Sequence, residues 1–426
     1  VASVRKSVLY SVAGYAVWSA CSFLLFSMLT KITDLETSGL YQYAIALVTP
    51  ITDFAALNLR SLQNTDAKAD YHTSTYMALR WLAMSLAMVV IAGLGFALGQ
   101  TTLTVICLVL FAVRAGIEWL DDVFHGLFQS LDRMDLVARS LVVRSVLGLV
   151  IFGVTLAVTR SLVMAMVAHV LVTAAVYVWD HATARRLSAA PNLTDAQQRS
   201  LARGIAPVFA WLDMRRLAWL ALPLAITVYL VSANTMAPRY AVEQVLGKEA
   251  LGIFAAYAYI VVIGRLGIIA TGVALSTPLA QAYQAGDRRR YLTLFGKMIA
   301  ISAALLVIMP LVGMLAGAPL IRLLYTEEYT RDLPVLTLVL FGGALGYVGN
   351  LCGYGMTSMR ILRPQVPVYA VTLAVTVFLA WQWVPAHKLE GAAWAMIVGN
   401  AVQAVLSALV CAYGLARIPP GGTVVS

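Results

Sequence analysis

The sequence predicts an all-α integral membrane protein with about twelve transmembrane helices in two six-helix lobes, related by a pseudo-twofold axis along the membrane normal. Three observations carry this expectation. Charge is scarce for so long a chain, apolar runs of spanning length recur along it, and one polar segment cuts the set of runs in half.

Of the 426 residues, 61% are hydrophobic and only 12% are charged, with a mean hydropathy of +0.83. A soluble domain carries about 25% charged residues, so lipid must solvate most of this surface. The net charge of +10 does not indicate a nucleic-acid partner, because the basic residues sit in short loops between apolar runs, the pattern that orients a protein in a bilayer. Cys21, Cys107, Cys352 and Cys411 are scattered singly in apolar stretches. They read as small buried hydrophobes, with no disulfide framework and no metal site.

The spans are expected at 7–30, 37–59, 76–98, 103–127, 138–159, 161–179, 217–236, 249–275, 291–316, 333–358, 365–384 and 390–414. The first run follows Arg5 and Lys6 like a signal peptide, but it is too long for a signal h-region and reads as the first span. With the N-terminus inside, 21 of the 30 Lys and Arg fall at inner ends and loops, 7 in outer loops, and Arg114 and Arg265 inside spans. This bias predicts both termini in the cytoplasm. The stretch 181–216 is the long polar segment, with Pro191-Asn192, an N-cap at Thr194 before Asp195, and paired arginines at each end. It reads as a cytoplasmic linker carrying an amphipathic helix, between an N-terminal lobe at 1–180 and a C-terminal lobe at 217–426.

The halves share weak, collinear matches. Gly39-Leu-Tyr in the second span matches Gly252-Ile-Phe in the eighth. His125-Gly-Leu-Phe-Gln-Ser-Leu-Asp-Arg133 in the fourth matches Cys352-Gly-Tyr-Gly-Met-Thr-Ser-Met-Arg360 in the tenth. Ala165-Met-Val in the sixth matches Ala395-Met-Ile in the twelfth. Six spans per half give both repeats the same orientation, with a cavity expected between them, the geometry of an alternating-access transporter.

Ionisable groups inside spans are costly and face protein or water. The fourth span carries Arg114, Glu118, Asp121, Asp122 and His125. Positions 114, 118, 121 and 125 fall on one helical stripe, with Asp122 beside it. Either this stripe lines the cavity, or Arg114 and Glu118 pair on their own helix while the acids approach the interface. Arg265, in the eighth span, has no acid near in sequence; the repeat offset brings Asp53 almost onto it in the other lobe, either across the cavity or as a lock between lobes. Two buried arginines favour an anionic ligand. Substrate-binding candidates are therefore Arg114, Arg265, Asp53 and Glu118, with Tyr41 and Tyr257 as surfaces for sugar rings or as core packing. Glu118, Asp121 and Asp122 are the ion-coupling candidates. Tyr15, Trp18, Tyr43 and Tyr259 carry the same two readings as the other tyrosines, and His169 reads as a satisfied core histidine. The tenth span replaces the charges of the fourth with Gly342, Gly343, Gly346, Gly349, Gly353 and Gly355, a pattern of close helix packing. No nucleotide loop, nucleophile elbow or metal-ligand cluster is present, so neither an enzyme nor a cofactor is expected.

Several stretches carry a resemblance. Ser38-Gly-Leu-Tyr-Gln-Tyr-Ala-Ile-Ala-Leu47 with Asn58-Leu-Arg60, Pro238-Arg-Tyr-Ala through Gly252-Ile-Phe-Ala-Ala256, and Gly391-Ala-Ala-Trp-Ala395 resemble the bacterial O-antigen and capsular polysaccharide flippases. These belong to the multidrug/oligosaccharidyl-lipid/polysaccharide exporter superfamily. The resemblance implies an inner-membrane protein that flips undecaprenyl-pyrophosphate-linked oligosaccharide, with Arg114 and Arg265 holding the pyrophosphate. Its partners would be membrane lipids and polysaccharide polymerase machinery. The acidic stretch Glu118–Asp122 departs from the cationic cavity of that family. The alternatives are an ion-coupled multidrug exporter of the same superfamily, in which Asp53 and Glu118 are central, a lipid II flippase, whose family has two more helices, or a non-transporting membrane scaffold.

Overall fold

The computed structural model describes residues 4–66, 69–191, 193–361 and 363–416. Lys68, Asn192 and Arg417, which enter the charge and linker readings, lie outside the described residues. The described residues contain helices and no strand. The helices are α1 (Val4–Ile32), α2 (Leu35–Ala55), α3 (Leu59–Thr65), α4 (Thr73–Ala97), α5 (Thr102–Ser130), α6 (Met134–Thr159), α7 (Leu162–Ser188), α8 (Asp195–Leu201), α9 (Trp211–Leu246), α10 (Lys248–Gln284), α11 (Arg288–Leu324), α12 (Leu333–Ser358) and α13 (Gln365–Ala416). A 3₁₀ turn, Glu327–Thr330, precedes α12.

Eleven of these segments are long and apolar enough to cross a membrane. The last, α13, has 52 residues and would be about 78 Å long as one helix, far beyond the ~30 Å hydrocarbon core. It is two spans: Lys388 breaks it with φ 52° and ψ −131°, just after Pro385. The left-handed φ is strained for a side chain of this size and marks a sharp reversal. Twelve candidate spans result among the described residues, each overlapping an expected one. α9, α10 and α11 run 36, 37 and 37 residues, longer than their apolar runs. Polar turns prolong each helix past the stretch that hydropathy detects, as Gln281–Gln284 do in α10.

Large side chains such as Val158, Leu315 and Phe378 are 78%, 76% and 63% exposed. Apolar surface on this scale is stable against lipid chains and not against water. The chain is a multi-pass membrane protein.

Contacts divide the chain into two units. Unit 1 comprises residues 1–33 and 40–232, and unit 2 comprises 34–39 and 233–426. In unit 1, α5 packs against α3, α4 and α7, while α6 packs against α1 and α7. The beginning of α9 belongs here too, since Met214, Leu217, Ala221 and Ala225 enter the same core cluster as Leu120, Phe124 and Phe128. The polar segment is shorter than its sequence suggests, because α7 continues to Ser188 and α9 starts at Trp211. Between them Thr194 caps α8 in a capping box with Gln197, as its spacing predicts, and Leu201 and Ile205 return to the core.

In unit 2, α12 packs against α10, α11 and α13, so it is central there as α5 is in unit 1. Its glycines admit neighbours closely. A Cβ on Gly343 would strike Val261, and one on Gly355 would lie 2.7 Å from Phe295. Residues 34–39, which open α2, pack on the opening of α10. A Cβ on Gly39 would collide with the Lys248 carbonyl, and one on Gly252 would lie 2.9 Å from both the Leu35 carbonyl oxygen and Ser38 Oγ. The two matched glycines of the repeat thus meet at one helix crossing.

Candidate functional site

The polar heart of unit 1 is built on the C-terminal two-thirds of α5. Its acids do not act as one stripe; each is answered by arginine from a different direction. Arg114 Nη1 donates to Glu118 Oε1 at 2.6 Å, one turn along the same helix, and its guanidinium stacks over Phe111 at 4.6 Å. Asp122 receives Arg60 Nη1 from α3 at 3.2 Å and Arg80 Nη2 from α4 at 3.5 Å. Arg60 also donates to Tyr15 Oη at 3.2 Å and Gln129 Oε1 at 3.1 Å. Arg80 has no exposed surface and lies 5.5 Å from the Trp119 ring centroid.

Asp121 has no exposed surface either. Arg144 of α6 donates to its Oδ2 at 3.0 Å, and His125 Nε2 lies 3.4 Å from the same oxygen. That imidazole nitrogen is 3.1 Å from Ser140 Oγ and 3.7 Å from Asp180 Oδ2 of α7. Ser140 in turn donates to Asp180. Asp121, His125 and Asp180 each place a ligand atom within 4.8 Å of the others. Arg144 already brings a positive charge to this set and Ser140 occupies Asp180, which suits it poorly to a divalent cation.

Several donors and acceptors remain unsatisfied. Arg80 Nε and Nη1, Arg114 Nε, Arg144 Nε and Asp121 Oδ1 have no hydrogen-bond partner among the described residues. Arg114, Glu118, Arg144 and His169 line a cavity of about 30 Å³ with Trp18 and Ser145. That is room for a water or two, not for a phosphate or a sugar.

The remaining candidates are dispersed. Asp53 is half-buried on α2. Tyr41 is buried between the Phe111 and Phe152 rings. Tyr257 is buried in unit 2 and donates to the Tyr329 carbonyl at 2.7 Å. Neither ring presents a face to a sugar in this structure. Arg265, midway along α10, is exposed; it interacts with the phenols of Tyr347 and Tyr354 and forms no ion pair among the described residues. His169 packs edge-on against Phe152.

Arg60, Arg80 and Arg144 count in the sequence among the basic residues at inner ends and loops, and Asp180 and Ser140 carry no signal there. One signal was available for two of them. Arg80 and Arg144 each lie several residues inside an apolar run, deeper than an interfacial anchor requires.

No family model matches the chain. The capsular polysaccharide biosynthesis protein CapF of Staphylococcus aureus is 23% identical over 400 residues, covering 94% of this chain and 97% of that protein. Among solved structures, the inward-facing conformation of a multidrug resistance MATE family transporter of the MOP superfamily superposes with a TM-score of 0.66 at 14% identity, covering 97% of this chain and 95% of the other. A variant of the MATE transporter VcmN of Vibrio cholerae gives 0.65 at 13% identity, covering 98% and 97%. The chain therefore has the two-lobed, all-helical fold of the MOP-superfamily transporters, and its likeness to a capsular polysaccharide protein extends over nearly its whole length.

Proposed function

We propose that the chain is a flippase that carries undecaprenyl-pyrophosphate-linked oligosaccharide across the bacterial inner membrane for surface polysaccharide assembly. The similarity to CapF over 94% of the chain is the observation that carries the polysaccharide assignment. The charge arrangement supports it against the multidrug alternative. Of the two carboxylates central to the exporter reading, Glu118 is engaged by the Arg114 guanidinium. Arg265 is a cation with no such partner among the described residues, and it suits a pyrophosphate through bidentate contacts. Both termini are cytoplasmic in this reading, the lipid tail stays in the bilayer, and polymerase machinery receives the product.

Coupling then falls to the Asp121–His125–Asp180 cluster, where two buried carboxylates share one arginine and one imidazole, and not to Glu118 or Asp122, each of which pairs with arginine alone. Deleting the protein tests the assignment. The expected result is loss of surface polysaccharide with accumulation of lipid-linked repeat units, restored by the wild-type chain and not by Arg265→Ala. Intact surface glycan with hypersensitivity to cationic drugs would instead favour the exporter.

A further inference from the structure

Basic side chains gather at one end of unit 2. Arg288, Arg289 and Arg290 open α11, and Lys297 lies about 10–13 Å further along its axis. Arg360 and Arg363 occupy the short connection between α12 and α13. Tyr291, directly after the three arginines, draws the two groups together. Its Oη donates to the Gly355 carbonyl at 3.2 Å and lies 3.1 Å from Ser358 Oγ, so the last turn of α12 is pinned to the first turn of α11. All six cations are exposed, and none forms an ion pair among the described residues.

Opposite charge is scarce here. Residues 250–326 and 333–389 hold a single acid, Asp287. It is committed to the backbone as the cap of α11, where its Oδ1 accepts from the Arg290 N–H at 2.8 Å. In unit 1, by contrast, Arg60, Arg80, Arg114 and Arg144 each meet an acid of α5. The three arginines of α11 also sit at a helix N-terminus, where the macrodipole opposes cations and favours an anion. A charge bias along the sequence places such residues on one side of a membrane; their convergence at one helix crossing makes a concentrated positive surface.

That surface adjoins lipid. Leu292 and Ile301 are 45% and 40% exposed, so the apolar outer face of α11 begins two residues after Arg290. Arg289, Thr293 and Lys297 recur at every fourth position and form one exposed stripe, running from the polar end into that face. A Cβ on Gly296, beside Lys297, would meet nothing within 4 Å. A lysine at this depth turns its ammonium back toward the headgroups.

We propose that this end of unit 2 binds an anionic phospholipid of the surrounding bilayer. The arginines of α11, with Arg360 and Arg363, hold the phosphate; Lys297 supports it from the apolar side, and an acyl chain lies along Leu292 and Gly296. Clusters of about four to eight basic residues beside a span select anionic lipid in this way. The ligand is a resident lipid and not the cargo, so the assignment stands whatever the chain transports.

The test uses the full-length chain purified in a non-ionic detergent, titrated with dioctanoyl phosphatidylglycerol and dioctanoyl phosphatidylcholine. These probes share their acyl chains and differ in net charge. Each basic residue near the surface contributes about fivefold, so wild type is expected to bind the glycerol lipid at least tenfold more tightly than the choline lipid. Arg288→Gln, Arg289→Gln and Arg290→Gln together are expected to reduce that preference to threefold or less, with the choline lipid bound as before. Arg215→Gln with Arg216→Gln, at the start of α9, is the control and should leave the preference intact.

A wild-type chain without the preference overturns the proposal, as does a preference that the triple variant retains. An equal loss in the α9 control also overturns it, because the effect would then be one of net charge. Inorganic phosphate at about 10 mM that displaces the glycerol lipid completely would reveal a site for free anions and reject the lipid. If the triple variant does not fold, Arg289→Gln with Lys297→Gln decides alone: a selective loss of threefold or more supports the assignment, and an unchanged preference rejects it.

Discussion

Asp121 accepts a hydrogen bond from Arg144 at 3.0 Å in a place without exposed surface, and this governs what its substitution does. Removing one member of a buried pair strands the other charge and costs about 3–5 kcal/mol, whereas removing both is close to neutral. Asp121→Asn is therefore expected to lower the melting temperature in detergent strongly, and Asp121→Asn with Arg144→Met to recover most of the loss. Glu118→Gln, in a part-exposed pair within one helix, is expected to cost less than about 1 kcal/mol. Equal losses for the two single variants would contradict this distinction. The sequence revealed the acids of α5 because helical spacing is a local property. Their partners were hidden: Arg60 and Arg80 precede Asp122 by 62 and 42 positions, and only packing brings them together. Asp180 sat at the edge of the expected sixth span, so its burial between α5 and α6 was illegible from hydropathy.

Helix ends and crossings set the next scale. Gly39 and Gly252 were recognisable as a repeated motif, while the reason for glycine, two backbones meeting at a crossing, required the structure. Gly39→Ala drives a Cβ into the Lys248 carbonyl, a rigid backbone neighbour, and is expected to destabilise by about 1–3 kcal/mol. Gly93→Ala, on α4 with open space around its Cβ position, is the control and should be neutral or stabilising by up to about 1 kcal/mol. Paired melting curves check both. The start of α2 supplies a pH-dependent case. Asp34 Oδ1 accepts from the Thr37 backbone N–H at 2.9 Å, and bonding to Thr37 holds its carboxyl below the ordinary value. A depressed carboxylate contributes stability that is complete above its unfolded-state pKa and disappears as pH falls through the folded one. Asp34→Ala should therefore cost about 1 kcal/mol near neutrality and nothing once the wild-type carboxyl is protonated, read as convergence of the two melting temperatures in acid. The final reversal was foreseen as a gap between two spans, but the backbone continues helically to either side of Lys388, with Pro385 helping to bend it.

Over the whole chain, the span count was the most legible property, because bilayer thickness sets how long an apolar run must be and the runs are well separated. The division into units was less so. The polar segment marks a break in hydropathy, while the contacts pass from one unit to the other inside α9, after Ser232, and again at residues 34–39. Hydropathy cannot detect an exchange made within continuous helices. Twelve spans with an inward N-terminus predict that alkaline phosphatase fusions are active after Gly99, Gly247 and Thr326, and that green fluorescent protein fluoresces after Asp132, Gly204 and Ala416. Activity reversed at all six sites would invert the orientation, and reversal beyond one loop would change the count.

The transport claim itself is tested most directly with the purified chain in vesicles whose two leaflets both carry a polyprenyl-pyrophosphate oligosaccharide. An added glycosidase can cleave only the sugars on the outer face. The account predicts that cleavage proceeds past the outer half toward completion in vesicles holding the chain, and that Arg265→Ala halts it near half. Cleavage that stops at half with the wild-type chain, in vesicles that nevertheless move a cationic dye such as ethidium, would contradict it.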